Sequence, residues 1–171
     1  MNNKGLLVFF VSVYISVFSG ISSSLSSDAQ QPILLESDSA KWDDKTSTSV
    51  YRGNVKLNQG SLEITGDVLT VYAPGKKVKY MRAEGKRCTY RQINDEGKLI
   101  TAVAKKIEHF IGQEKIILTN NAVLTQGEDK VASNKIIYFT KNQEVSAGTK
   151  GKNSRVRMTL VPKNEQNGKN K

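Results

Sequence analysis

Apolar and polar side chains alternate with a period of two along most of this chain, and that period restricts it to β-structure. Tyr51, Gly53, Val55 and Leu57 fall on one strand face, and Arg52, Asn54, Lys56 and Asn58 on the other. Leu62 and Ile64 alternate with Ser61, Glu63 and Thr65, and Leu69 and Val71 follow on one face. Ile107, His109 and Ile111 share a face, as do Leu118, Ala122 and Leu124. Successive Cβ atoms of a strand point to opposite sides, so each run describes a strand with one buried face. No long stretch carries the three- and four-residue spacing of an amphipathic helix, although short helical turns near Asp43-Asp44-Lys45 are compatible with the pattern. Gln59-Gly60, Gly66-Asp67, Pro74-Gly75 and Asn94-Asp95-Glu96-Gly97 read as turns between these runs, at intervals of roughly 8–12 residues. The pattern predicts an antiparallel all-β sandwich or barrel between residues 32 and 161.

The ends read differently. Lys4 precedes an apolar run from Leu6 to Phe18, broken by Ser12 and Ser16, and small residues from Ser19 to Ser27 follow. This is the three-part pattern of a secretory signal peptide, so residues 1–27 are expected to be an address and not part of the fold. Cleavage is compatible with Ser22, Ser24 or Ser26, and an uncleaved anchor is the rival reading. No cysteine sits just after the run, which argues against a lipoprotein. From Pro162 the chain turns to Lys, Asn, Gln, Glu and Gly, so residues 163–171 are expected to form a disordered basic tail. That leaves one domain over residues 28–162. The full chain carries a net charge of +10. Without residues 1–27 it has 25 basic and 16 acidic groups, a charge of +9. A basic surface suits an anionic partner, and export from the cytoplasm counts against nucleic acid.

An internal repeat lies at an offset of 67 residues. Asn54 matches Asn121, Leu57 matches Leu124, Gln59-Gly60 matches Gln126-Gly127, and Val78 matches Val145. Ile64 meets Val131 and Leu69 meets Ile136. One strand–turn–strand unit is thus expected to be used twice.

The chain carries no recognisable catalytic set. Its one histidine, His109, lies between Ile107 and Ile111 on an apolar strand face, where a half-buried structural role is favoured over a catalytic one. No Gly-x-Ser-x-Gly nucleophile motif occurs. The acid pairs Asp43-Asp44 and Glu128-Asp129 sit in polar, turn-like surroundings. Gly75-Lys76-Lys77, Gly85-Lys86-Arg87 and Gly151-Lys152 lack the full spacing of a phosphate-binding loop and read as basic hairpin ends. Cys88 is the sole cysteine, with no partner for a disulfide or a metal, and reads as a small half-buried strand residue. No cofactor is expected. What remains is a set of aliphatic strand faces with a basic periphery. Such faces pack on one another, or stand apart as a groove for the acyl chains of a phosphorylated glycolipid, where each buried methylene contributes about 0.8 kcal/mol.

Several ordered motifs carry a family resemblance. They are Gln31-Pro32-Ile33-Leu34-Leu35-Glu36-Ser37-Asp38, Gly53-Asn54-Val55-Lys56-Leu57-Asn58-Gln59-Gly60, Asp67-x-Leu69-x-Val71, and Gly85-Lys86 with Thr89-Tyr90 and Gln92. Asn121-Ala122-x-Leu124-x-Gln126, Asn134-Lys135-Ile136-x-Tyr138, and Arg155-Val156 with Leu160-Val161-Pro162 complete the set. In order and spacing these residues resemble the OstA-like family over residues 31–162. The resemblance implies a β-jellyroll, V-shaped in section, whose antiparallel sheets enclose an open apolar groove. It implies a non-catalytic periplasmic carrier of lipopolysaccharide, whose partners are inner- and outer-membrane transport components and further copies joined head to tail through sheet edges. Family lipid-facing positions fall on Ile33, Leu35, Tyr90, His109 and Ile111, with His109 replacing a frequent aromatic. Alternation adds Val55, Leu57, Leu69, Val71, Leu118, Leu124 and Ile136 to the expected groove lining. The rival function is a periplasmic scaffold that uses its strand edges and holds no lipid. A nucleic-acid-binding β-domain is disfavoured, because base stacking wants exposed aromatics and aromatics make up 7% of the chain.

Overall fold

The computed structural model describes residues 28–148 and 155–162. The expected signal peptide and basic tail lie outside the described residues. The described residues build one antiparallel sheet of ten strands: β1 (Leu34–Glu36), β2 (Ser39–Asp43), β3 (Thr48–Gln59), β4 (Leu62–Tyr72), β5 (Tyr80–Ile93), β6 (Leu99–Phe110), β7 (Lys115–Gln126), β8 (Asp129–Phe139), β9 (Glu144–Ala147) and β10 (Arg157–Thr159). The six long strands β3 to β8 pair in sequence order. At one edge β1 and β2 pair with the two ends of β3, and at the other edge β10 and β9 pair with the two ends of β8. The sheet is not closed on itself.

A single crease crosses the sheet. Pairing registers shift between Arg52 and Val55, Thr65 and Val68, Glu84 and Cys88, Val103 and Lys106, and Thr119 and Ala122. These shifts lie side by side, and at the edges the chain breaks there into separate short strands. A bulge inserts residues that have no partner and bends the strand, so a row of bulges bends the whole sheet along one line. The bend brings the two halves face to face. Tyr90 of β5 opposes Ala102, seven residues along β6 from His109. On a flat sheet that separation spans about 23 Å, yet the Tyr90 and His109 rings lie 5.9 Å apart. The result is a two-layered jellyroll with a continuous apolar interior that includes Leu57, Ile64, Leu69, Ile107, Leu118 and Ile136.

The crease explains where the sequence reading and the structure part. Gly66-Asp67, read as a turn, lies inside β4 as a bulge. The segment near Asp43-Asp44-Lys45 is not helical. It closes the β2–β3 hairpin, with the Asp43 carboxylate accepting from the Lys45 and Thr46 amides at 2.9 and 3.3 Å. Short 3-10 turns occur instead at Pro74–Lys76 and Ile111–Gln113. Cys88, expected to be half-buried, is fully buried at the crease, where its thiol donates to the Lys105 carbonyl and burial pushes its pKa up to about 11. The repeat appears as two equivalent hairpins, β3–β4 and β7–β8. Asn54 and Asn121 both take positive φ at the crease, at 46° and 56°, and Gly60 and Gly127 both take positive φ in the turns, at 58° and 61°.

Gly53 shows what the crease demands. Its φ is +79°, and a Cβ there would overlap the Asp38 carboxylate, which accepts a hydrogen bond from Asn54 Nδ2 at 3.0 Å. Gly53→Ala is expected to destabilise the fold by about 2 kcal/mol, from left-handed strain plus the displaced Asp38. Gly97→Ala, at a positive φ in open space, should cost only about 1 kcal/mol. Urea unfolding of the two variants checks the difference.

Candidate functional site

The interior between the layers is the candidate site. Of the residues expected to line a groove, Val55, Leu57, Leu69, Val71, Tyr90, Leu118, Leu124 and Ile136 are all buried inside it. Leu35 and Ile111 are partly buried against the same interior. Ile33 stands apart at 38% exposed, just before β1 at the sheet edge. The structure therefore gathers nearly all of these positions on the concave face, and the two aliphatic layers pack on each other there.

Room remains where the layers part, at the rim opposite the crease. A cavity of about 280 Å³ lies between them. Layer one contributes Asp28, Gln59, Leu62, Gln92 and Asp95 to its lining, and layer two contributes His109, Ile111, Glu114, Thr140 and Lys141. Sequence reasoning found His109 and Ile111 but missed Asp28, Gln59 and Gln92. Their role depends on a long-range meeting of segments that no local pattern encodes. Asp28 is buried, and its carboxylate accepts from the Ser61 amide at 2.7 Å, the Ser61 hydroxyl at 2.6 Å and Gln92 Nε2 at 3.0 Å. Gln59 Nε2 donates to the carbonyls of Ala29 and Gln31, at 3.4 and 3.2 Å. The segment before β1 is thus held across the end of the β3–β4 hairpin. Farther along the rim, Gln143 donates to Glu96 at 2.6 Å and accepts from Gln126 at 2.7 Å, bridging the layers.

His109 is more buried than its sequence position suggested, at 9% exposed. Cross-strand neighbours Met81 and Ile116 flank it, and its ring meets Tyr90 edge-on. Nδ1 is sealed from solvent and has no hydrogen-bond partner among the described residues. Burial pushes the imidazole down to about 4, so it is neutral at neutral pH. Tyr90 donates its hydroxyl to Gln92, and burial raises its pKa. Among the described residues there is no group of three His, Cys, Asp or Glu side chains placed to hold a metal ion, and no helix is long and apolar enough to cross a membrane.

An unclosed antiparallel sheet, creased into two layers over an aliphatic interior that opens at one rim, defines an open β-jellyroll. The sequence matches the family described as LptA/(LptD N-terminal domain) LPS transport protein over residues 34–144. It is 32% identical over 151 residues to the lipopolysaccharide export system protein LptA of Escherichia coli K12, covering 86% of this chain and 80% of that protein. Against the LptA of Haemophilus influenzae it is 34% identical, covering 86% and 87%. The solved structure of LptH, the LptA-homologous periplasmic component of the lipopolysaccharide transport device of Pseudomonas aeruginosa, superposes with a TM-score of 0.72 at 31% identity, over 80% of this chain and 99% of that one. The chain belongs to the LptA family.

A buried neutral histidine gives the fold a pH signature. The folded state holds His109 near 4 and the unfolded chain near 6.5, so between those values the unfolded state binds the extra proton. Stability from this residue is intact above about pH 6.5 and falls as the pH drops toward 4. Lowering the pH from 7 to 5 should cost the wild type about 2 kcal/mol more than His109→Phe. Chemical denaturation of both proteins at the two pH values checks it.

Proposed function

We propose that this protein is a non-catalytic periplasmic carrier that holds the acyl chains of lipopolysaccharide between the two layers of its jellyroll and bridges inner- and outer-membrane transport components. The observation that carries this reading is the arrangement of the interior. Aliphatic residues from eight of the ten strands' worth of chain face one another across a seam, and that seam opens at one rim into a cavity lined by Leu62 and Ile111. Parting the layers exposes aliphatic surface, and an acyl chain inserted there covers it again at about 25 cal/mol per Å². Lys141 lines the cavity with its side chain 79% exposed and paired with Glu114 at 3.9 Å. The names of the relatives support the same cargo, and the periplasmic LptH supports the same compartment. The expected signal peptide over residues 1–27 is in keeping with it. On this reading the direction of transport has to come from its partners.

Unpaired edges support the bridging role. β1 and β2 leave one edge of the sheet open, and β9 and β10 the other. Apolar residues crowd both edges: Ile33, Leu34 and Trp42 at one, and Val156, Met158, Leu160 and Val161 at the other, all exposed. Open strand edges with apolar side chains add strands from another chain. Joining copies or partners edge to edge aligns their interiors into one path.

Ile111 tests the cargo. It is partly buried in a turn at the rim, not in the middle of a strand, so a charge there is tolerable to the fold. Ile111→Asp is expected to weaken binding of lipopolysaccharide at least about tenfold, or 1.4 kcal/mol, with an unchanged β-type circular dichroism spectrum. Photo-crosslinking from positions 33 and 111 in cells should yield lipopolysaccharide adducts. Normal binding by Ile111→Asp together with no adduct at either position would favour a scaffold that never holds lipid.

A further inference from the structure

The segment before β1 is fastened from inside the molecule. Asp28 is buried, and its carboxylate has three donors: the Ser61 amide, the Ser61 hydroxyl and Gln92 Nε2. The network continues past Gln92. Its Oε1 accepts from the Tyr90 hydroxyl, and the Tyr90 ring meets His109 edge-on at 5.9 Å. Tyr90 belongs to layer one and His109 to layer two, so this contact closes the seam. Gln92 and His109 both line the rim cavity, and Asp28 and Ala29 form part of its wall. One chain of contacts thus runs from the seam to the segment that leads through Gln31 and Pro32 to the edge strand β1. The turn beneath the segment is shaped to it: a Cβ on Gly60 would come within 2.1 Å of Asp28 Oδ1. Gly127, the equivalent glycine of the β7–β8 hairpin, has nothing within 4 Å.

We propose that residues 28–31 form a latch coupling the interior to the sheet edge: an acyl chain entering from the rim cavity releases the segment, and a released segment eases the chain's entry. The inference rests on the carrier reading and adds to it a signal that the carrier is filled. A chain passing inward from the cavity has to separate the Tyr90 ring from His109. The Tyr90 hydroxyl moves with its ring and leaves Gln92, whose carboxamide is then free to turn from Asp28. A buried carboxylate is tolerated only while its hydrogen bonds are made, so losing one donor of three shifts Asp28 toward water. Gln59 Nε2, on the carbonyls of Ala29 and Gln31 at 3.4 and 3.2 Å, is then the main remaining tie. Coupling of this kind is reciprocal: what loading does to the segment, releasing the segment does to loading. The released residues lead directly to Ile33 and β1, at an open edge of the sheet. Filling is thereby felt where another strand can dock.

The test uses purified lipopolysaccharide and the mature protein, which keeps Asp28 whether cleavage follows Ser22, Ser24 or Ser26. Hydrogen exchange reads the latch at the amides of residues 29–31, among which the Gln31 amide donates to the Asp28 carbonyl at 2.9 Å. In the wild type these amides are expected to exchange at least about fivefold faster with lipopolysaccharide bound. Gly60→Ala, which expels the Asp28 carboxylate, should show the fast exchange without lipid and bind lipopolysaccharide about five- to tenfold more tightly. Gly127→Ala carries matching backbone strain, at a φ of +61° against +58°, and should follow the wild type in both readings. Ser61→Ala removes one donor to Asp28 at a residue outside the cavity lining. It should shift both readings in the direction of Gly60→Ala, and it serves if that variant does not fold. Unchanged or slower exchange of residues 29–31 in the loaded wild type would overturn the latch and leave the carrier standing. So would wild-type affinity in a variant whose segment is released. If the wild type binds no lipopolysaccharide, the carrier reading falls and the latch with it.

Discussion

The crease is the constraint on which the rest of the molecule depends. A strand repeats its side-chain direction every two residues, so bending a sheet sharply without losing its apolar concave face requires extra residues at the bend. The buried positions record this. In β6 they are Ile100, Ala102 and Ala104 before the crease and Ile107 and His109 after it, an even series that becomes odd. In β5 the odd series Met81 and Ala83 gives way to the even series Cys88, Tyr90 and Gln92. β4 and β8 switch in the same way, whereas β7 keeps its phase by spending two residues, Asn120 and Asn121, both at positive φ. Each strand solves the bend with its own insertion, and the outcome is the same in all: one face inside on both sides of the line.

The two borders of each layer are fastened very differently. Along the crease the covalent chain itself joins the layers through six long strands, and local polar groups satisfy the bent backbone. Asp67 accepts from the Lys86 amide at 2.9 Å, Cys88 donates to Lys105, and Asp38 holds Asn54. At the opposite rim the side-chain hydrogen bonds of Gln143 with Glu96 and Gln126 join the layers, while Asp28 and Gln59 hold the segment before β1 against layer one. Each such bond contributes about 1 kcal/mol net. Local opening follows the lowest-cost route, so any parting of the layers would begin at the rim and hinge at the crease. An interior reached this way admits an elongated apolar guest without any strand leaving its neighbours.

Much of this was legible in the sequence, and what was not has a physical cause. The period-two runs identified the strands' apolar faces, and nearly every residue assigned to them points inward. The errors cluster at the crease. A change of parity looks like the end of one strand and the start of another, so Gly66-Asp67 passed for a turn when β4 runs through it. The offset-67 repeat already held the correction. It aligned Asn54 with Asn121 in mid-strand as faithfully as it aligned the true turns at Gly60 and Gly127. The rim residues Asp28, Gln59 and Gln92 were invisible for another reason. Their contacts join positions such as Asp28 and Gln92 that lie 64 residues apart, and a lone polar residue near a strand end carries no trace of a distant partner.

Periodicity also leaves one question that only chemistry resolves. An aliphatic face that packs permanently on its mate and one that separates to hold a lipid chain have the same residues at the same spacing. What separates them is a feature that a permanent core would eliminate. In a closed core, a ring with an unmet nitrogen is a standing cost of about 1–3 kcal/mol, removed by substituting a phenyl group of similar shape. His109 keeps that cost on the lining of the rim cavity, and the Tyr138 hydroxyl keeps it beside a void of about 10 Å³. Leu57, Leu118 and Ile136, deeper in the interior, carry no polar atom beyond the backbone and leave no such mark. Unmet polar atoms therefore stand both at the rim and in the closed part of the seam, which is less completely satisfied than a core of aliphatic residues alone.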